Sequence, residues 1–600
     1  MKLSKLNELP TTREMIDVFG GYNHNLRIRE GEFYDMENLT SADYPVLSPR
    51  PKRGIYESPT KPLGLISKDA LCYVDGRDFI INKYRLEGIL KNDKPKDLVS
   101  MGQYVIVMPD KVWIDTNSYE SGNIDAYFEI VDQYMDNGFY IDYTPCGIDG
   151  ETYEYDHVGK VAPPSPTDKM LWLDTSSTPC VLKRYSETNA EWLSIPTTYI
   201  KIKISGNEGS SIQDLTKLFS VGDGVVMMGL SGSVGEFNNK ASVIKGIGVD
   251  YIIIAGIVGA DGGQVVQNFS IRREMPDMDF VIESGNRLWG CRYGGSHNGK
   301  IVNEIYASKL GDFKNWQCYE GISTDSYAAS LGADGQFTGA ITYLGYPLFF
   351  RENCVHKVYG NFPSNYQIQT TACRGVQQGC SKSLAIVNET LYYKSRSGIC
   401  AYDGSLPTEI SSALGDVAYS DAVAGVLGNK YYISMKDETL ASHLFVYDAM
   451  RGMWHREDNT EATEFCNSRG NLYYIDREKN KIKAVREIDK NLDPEEASES
   501  VRTKWSAVTG IIGTDSPDKK YISRLILRIL LAVGTTVYCY VEYDSCGAWE
   551  HFFSISGTSL RSYTIPIKPK RCDHLRLKIV GEGEAKIYSI TKTIEQGSDV

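Results

Sequence analysis

Between Asp279 and Arg486 one short figure keeps returning: a burst of aromatic and aliphatic residues, a polar turn, and a second burst. It stands as Arg287-Leu-Trp-Gly-Cys-Arg-Tyr293, as Pro347-Leu-Phe-Phe-Arg-Glu-Asn-Cys-Val-His-Lys-Val-Tyr359, and as Leu391-Tyr-Tyr-Lys-Ser-Arg-Ser-Gly-Ile-Cys-Ala-Tyr402. It returns as Lys430-Tyr-Tyr-Ile-Ser434 with Leu444-Phe-Val-Tyr447, and as Leu472-Tyr-Tyr-Ile-Asp-Arg-Glu-Lys-Asn-Lys-Ile-Lys-Ala-Val485. Each reads as a hairpin. The starts fall near 288, 348, 391, 431 and 472, so the later ones recur every 40 to 43 residues, the period of four-stranded propeller blades. A blade cannot bury both of its faces alone, and radial stacking buries each against the next. The centre of the chain therefore reads as a β-propeller.

Two more hairpins precede this stretch, Leu71-Cys-Tyr-Val-Asp-Gly-Arg-Asp-Phe-Ile-Ile81 and Tyr104-Val-Ile-Val-Met-Pro-Asp-Lys-Val-Trp-Ile114. Val74-Asp-Gly-Arg77 is a tight-turn sequence, because Gly supplies the left-handed backbone such turns require. Residues 61–116 thus form the first blade or blades and residues 276–488 the remainder. The total is six or seven, and seven is the count adopted. Between them, residues 117–275 change texture. Pro163-Pro-Ser-Pro166 is rigid, and the strictly alternating Tyr199-Ile-Lys-Ile-Lys-Ile204 and the short Tyr251-Ile-Ile-Ile-Ala255 are strands without helical periodicity, which predicts an inserted β-domain.

At the C-terminal end, Asp489 to Ser500 is acidic and without apolar anchors, a surface linker. Alternation then resumes in Ser523-Arg-Leu-Ile-Leu-Arg-Ile-Leu530, Val537-Tyr-Cys-Tyr-Val-Glu-Tyr543 and His574-Leu-Arg-Leu-Lys-Ile-Val580. One apolar and one polar face per strand predicts a β-sandwich within residues 489–600. At the other end, residues 1–60 carry Phe19-Gly-Gly-Tyr-Asn23 and the series Pro45, Pro49, Pro51. Paired glycines and pre-set prolines make an extended strap, outside the propeller core, that lies along a neighbouring domain or subunit.

Composition narrows what this all-β chain does. A formal charge of −13 and a pI near 5.3 disfavour tight non-specific binding of nucleic acid, though not its passage along the surface. The 13 cysteines are odd in number and never in Cys-x-x-Cys pairs, the usage of a reducing compartment. The N-terminus lacks the apolar core of a signal peptide. The most apolar run, Ile522 to Val541, is interrupted by Arg524, Arg528 and Gly534, so no membrane segment is expected.

Catalytic signatures are sparse. Gly294-Gly-Ser-His-Asn-Gly299-Lys300 has the spacing of a phosphate-binding loop, but Ile301 stands where Ser or Thr must meet the metal, and the stretch reads instead as a hairpin turn. The eight histidines lack metal-ligand spacing. No catalytic residue, metal site or cofactor is assigned.

Gly20-Gly21, the following Asn38, and Arg50-Pro51-Lys-Arg53 resemble the start of tail tubular protein B, the nozzle proteins of short-tailed bacteriophages. Here Lys52 stands where that family has a second proline. Arg571-Cys-Asp-His-Leu-Arg-Leu-Lys-Ile-Val-Gly581 with Ala585-Lys-Ile-Tyr-Ser-Ile590 resembles the terminal sandwich of related tail and head-closure components. The resemblance implies a propeller interrupted by inserted β-domains. It also implies a homo-oligomeric ring of about six copies in the virion tail, contacts with other tail, adaptor or portal proteins, and transient passage of double-stranded DNA. It makes Gly20, Gly21, Asn38, Arg50, Pro51 and Arg53 assembly residues, and it places synthesis and assembly in the host cytoplasm. Two other classes stand beside this one: a tail adhesin binding host surface carbohydrate, and a propeller-fold glycan-processing enzyme, which as a secreted protein needs an export signal.

Overall fold

The computed structural model describes residues 11–131, 139–177, 180–195, 198–206, 213–258, 262–266, 268–297, 300–332, 335–488, 502–513, 519–566 and 570–596. The linker expected over 489–500 lies outside them, as do residues 298 and 299 of the phosphate-loop-like stretch. Its described residues, 294–297 and Lys300, lie on the two paired strands Arg287–His297 and Lys300–Ala307.

The recurring figures are the two central strands of four-stranded antiparallel sheets. Two complete sheets precede the insertion, beginning at Pro62–Lys68 and at Asp97–Met101. Five units follow it, with first strands Phe280–Ser284, Gly339–Tyr343, Ala385–Val387, Ser420–Leu427 and Ala462–Ser468. Neighbouring first strands touch in cyclic order, with the short turn Ser381–Ser383 mediating between the fourth and fifth units, and the last touches the first. The result is a propeller. Between its blades lie apolar clusters such as Cys72, Val74, Phe79, Val105 and Val107, and Trp289, Ile305, Phe337 and Phe349. Burying these rings and branched chains is the main stabilising term, about 25 cal/mol per Å² removed from water.

The seventh blade is completed from the other end of the chain. Gly54–Glu57 pairs antiparallel with Lys481–Ala484, joining Ala484 to Gly54 and Lys483 to Ile55. A ring closed by strands distant in sequence cannot open at that seam without breaking a sheet.

The rest of the expected strap is equally committed to this chain. Gly21–Tyr22 pairs with the outer strand of the sixth blade through Tyr22 and Trp454, and runs parallel to Glu32–Glu37, which pairs in turn with Lys504–Thr509. One ten-stranded sheet therefore passes from blade to strap to C-terminal domain. Thr11–Ile16 adds an edge strand to the second C-terminal sheet by pairing with Ala585–Gln596. The two C-terminal sheets face each other across Leu527, Ile529, Val537, Val541 and Ile579, in a core that also takes in Phe19, Phe33, Met36 and Leu47 of the strap. The expected division at 1–60 and 489–600 is thus replaced by one body. The reason is that the short strap strands carry their own buried apolar side chains, and these need the sandwich to cover them.

The insertion runs from Ala126–Val131 to Asn268–Arg273 and not from residue 117, because the second blade's fourth strand is Ser121–Asn123. That strand has no apolar side chain to reveal it. The insertion holds an eight-stranded sheet around Ile141, Ile202, Val225, Ile252 and Phe269, and a smaller four-stranded sheet between His157 and Ser194. It is anchored to the third blade's long loop, where Asn315 donates to Asp223 (2.9 Å) and accepts from the Gly224 amide (2.9 Å).

Candidate functional site

Four of the strap residues singled out in the sequence, Asn38, Arg50, Pro51 and Arg53, converge where strap, last two blades and sandwich meet. Asn38 is the hub. It sits in the left-handed region (φ 55°), which asparagine tolerates better than most residues. Its amide N–H donates to the Glu457 carbonyl (2.6 Å) and its side-chain NH2 to the Lys504 carbonyl (2.8 Å). Its side-chain oxygen accepts from Arg50 Nε (2.7 Å), and its carbonyl accepts from the Arg50 amide (2.9 Å). One residue thus joins the turn after the sixth blade, the sandwich and both arms of the strap.

Arg50 and Arg53 bring charge into the same junction. Arg53 is 2% exposed and places Nη2 2.9 Å from Glu457 Oε2 and Nη1 2.8 Å from Asp458 Oδ2. Arg50 lies 3.4 Å from Asp458 and 3.8 Å from Glu457. Arg53 also donates to Thr460 and to the Tyr474 hydroxyl (3.1 Å). Burial opposes ionisation of Asp458, but the two guanidinium groups and the Thr460 donors outweigh it and hold the carboxyl down at about 2. Two cations facing two anions, with a planar fork on one side, is the arrangement in which a buried ion pair is best satisfied.

The remaining expected residues are spatial enablers. Gly21 has φ 83°, and a Cβ there would collide with the Trp454 carbonyl. Gly20 donates to the Gly31 carbonyl (2.8 Å). Pro51 is exposed and its carbonyl accepts from Arg50 (3.0 Å). Asn38, Arg50, Pro51 and Arg53 therefore meet at this junction, while Gly20 and Gly21 lie at the other end of the Glu32–Glu37 strand, beside Trp454 of the sixth blade, and the polar groups described hold segments of the same chain together. The sequence reading missed their partners Glu457, Asp458, Thr460 and Tyr474. No sequence signal singled these partners out, because the strap also holds Arg13, Arg27 and Arg29 and several acids of its own.

A second ionic cluster spans the centre of the ring. Lys382, in the turn before the fifth blade, lies 3.4 Å from Glu464 on the seventh blade's first strand and 3.7 Å from Asp97 at the start of the second blade's. Burial raises the Glu464 carboxyl; Lys382 lowers it, Asp97 raises it again, and the balance stands at about 7. No sequence spacing marks these three residues as neighbours.

A third grouping has the order of a hydrolytic triad. Ser545 Oγ lies 2.8 Å from His574 Nε2, and His574 Nδ1 lies 3.0 Å from Asp573 Oδ2. Ser545 stands on the turn after Thr536–Tyr543, and Asp573 and His574 on the segment before Leu575–Glu582, with Asp573 55% exposed. Triad chemistry depends on a carboxylate shielded from water and on donors aimed at a developing oxyanion. Here water competes for the carboxylate, and Asp573 and Asp544 would set negative charge beside a developing oxyanion. Among the described residues, no group of three or more His, Cys, Asp or Glu side chains is placed to hold a metal ion. All thirteen cysteines are unpaired, and all but Cys546 are at least partly buried. Among the described residues no helix is long and apolar enough to cross a membrane.

The chain matches no protein-family model and no curated protein. Among solved structures it is similar to an exo-β-1,3-galactanase from Phanerochaete chrysosporium with galactose. The identity is 10% over 52% of this chain and 94% of that one, at a TM-score of 0.19. A glycoside hydrolase is 12% identical over 51% and 96% at 0.19. The extracellular domain of a one-component system from B. thetaiotaomicron is 8% identical over 93% and 97% at 0.18. At such scores these likenesses carry no argument about what the chain binds or does.

Proposed function

We propose that this protein is a structural component of a bacteriophage virion tail or head-to-tail assembly, a nozzle or ring protein beside the genome-ejection conduit, and that it is not an enzyme. The observation that supports this reading is the junction. The strap residues that carry the resemblance to tail tubular protein B fuse propeller and sandwich through a shared sheet and a buried four-charge cluster. A conduit wall must keep its shape under load, and a clasp of this kind removes the hinge that a flexible linker would leave. The channel is formed between copies. The propeller axis does not serve, because Lys382, Asp97 and Glu464 meet across it. Six copies carry a formal charge of about −78, and an acidic or neutral wall repels the duplex and lets it slide, where a basic one would retain phosphates.

The test is a reconstruction of the assembled particle, paired with an activity screen of the purified chain against glycans, esters and nucleotides. The expected result is a ring of about six copies, by the resemblance, lining the conduit with acidic or neutral side chains, and no turnover. The reading falls if the protein lies outside the conduit, or if its narrowest part is lined by Lys and Arg. It falls equally if turnover is found that Ser545→Ala or a single Asp or Glu substitution abolishes.

A further inference from the structure

A cleft of about 890 Å³ opens beside the junction, between the strap, the last two blades and the sandwich. That volume is within the range that encloses a small ligand or a short peptide. In a chain of net charge −13 its lining is unusual, with six cations against three carboxylates. Two of the cations are neutralised: Arg50 by Glu457 and Asp458, and Lys586 by Asp43 at 2.7 Å. The other four are Lys52, Lys430, Arg486 and Arg502. Lys430 donates to the Thr40 hydroxyl (2.8 Å) and Arg502 to the Gly534 carbonyl, both uncharged. Among the described residues none of the four has a carboxylate within ion-pair distance. Burial pushes the Lys430 ammonium below its ordinary value, and of its charged neighbours Arg486 and Arg451 add to this while Asp448 and Glu457 oppose it. Burial, more than repulsion, holds the Lys430 ammonium down; Lys52, Arg486 and Arg502 are the other cations of the lining left without an ion pair among the described residues, and an anion in the cleft would answer their charge.

The rest of the lining decides which anion. Leu530, Ala532 and Val533 form an apolar side, with Val533 81% exposed. Asp43, Glu457 and Glu584 interrupt the cations. A phosphate backbone carries charge without a break and would meet those carboxylates. A peptide can set its acids at the cations and an aliphatic side chain on the apolar side.

We propose that this cleft is a docking site for a short acidic peptide segment of a partner protein, one that alternates carboxylates with aliphatic residues. The proposal does not depend on the virion reading, since it rests only on the charge and shape of the cleft.

The test uses the full chain and a fluorescent Glu-Leu-Glu-Glu-Leu-Glu peptide, read by anisotropy, with tripolyphosphate and a single-stranded oligonucleotide as competitors. Saturable binding is expected. It should weaken about tenfold or more in Arg486→Glu/Arg502→Glu, both exposed positions, and should fall in about 0.5 M salt. Circular dichroism melts check that the variant stays folded, and Lys52→Glu, on the strap side of the cleft, provides an independent loss. The proposal is overturned by absent or non-saturable binding, or by binding that the charge reversals leave unchanged. It is overturned by displacement as effective with tripolyphosphate or the oligonucleotide as with unlabelled peptide, which would mark a generic anion site. A further arm replaces Asp489, Asp493, Glu495, Glu496 and Glu499 by their amides. If only that chain binds the peptide, the cleft belongs to the chain's own acidic stretch and the intermolecular proposal is wrong.

Discussion

Two ionic clusters in this molecule bury carboxylates in different ways. At the strap junction Glu457 and Asp458 face Arg50 and Arg53, two anions against two cations, and Asp458 is held at about 2. At the propeller axis Glu464 and Asp97 share one lysine, and Glu464 rises to about 7. Burial opposes ionisation at both sites; the number and geometry of counter-charges decide the outcome. Two planar guanidinium groups satisfy several lone pairs at once, whereas a single ammonium divided between two carboxylates does not. The junction is therefore a permanent clasp, and the axis is an ion cluster whose charge changes near neutral pH.

The largest expected effect comes from making the junction resemble the axis. Arg53→Ala leaves Arg50 alone with two buried carboxylates, and breaking one side of a buried pair costs about 3–5 kcal/mol. Urea unfolding of the variant should show that loss, and hydrogen exchange should locate it in residues 54–57 and the strap strands, where the clasp acts. A change under about 1 kcal/mol would mean that the cluster is not what joins the domains. Leu472→Ala, a fully buried aliphatic in the seventh blade, is the apolar comparator and should cost about 2–5 kcal/mol without selective exposure of the strap.

The axis sharpens the contrast through pH. Because the folded-state pKa of Glu464 is raised from 4.5 to about 7, the folded chain keeps a proton that the unfolded chain gives up. The associated stability is fully present below pH 4.5 and is lost as pH rises to about 7, amounting to roughly 3 kcal/mol. Asp458 behaves oppositely: its contribution is present above pH 3.8 and is lost as pH falls toward about 2. The difference in melting temperature between the native chain and Glu464→Gln should therefore grow across pH 4.5–7, with the glutamine chain favoured at the upper end. A difference flat with pH would show that Glu464 ionises normally.

The smallest effect tests shape rather than charge. Gly21→Ala forces a side chain onto the Trp454 carbonyl at φ 83° and should cost about 1–3 kcal/mol. Its melting curve should shift with that of the strap and sandwich. An unaltered curve would show that the strap can move away from the sixth blade.

The repeated part of the fold could be read from the chain alone. The central hairpins of the blades were legible because both of their faces are buried, so Leu391-Tyr-Tyr-Lys-Ser395 and Leu472-Tyr-Tyr-Ile-Asp476 carry continuous aromatic and aliphatic runs. The outer strands were not, since Thr408–Glu409 is exposed and Ser121–Asn123 is wholly polar or glycine. The strap was visible as rigid and anchored, and its glycines and arginines as meaningful, but its destination was decided only by tertiary structure. Gly54–Glu57 pairs with a strand more than 400 residues away, and Arg53 meets Glu457 across a similar separation. Neither contact has a local period or spacing to announce it. Hydrophobic patterning records how much of a residue is covered; it carries no information on which distant segment does the covering. The partners of Arg50 and Arg53, the spoke from Lys382, and the cationic cleft are for that reason properties of the folded molecule alone.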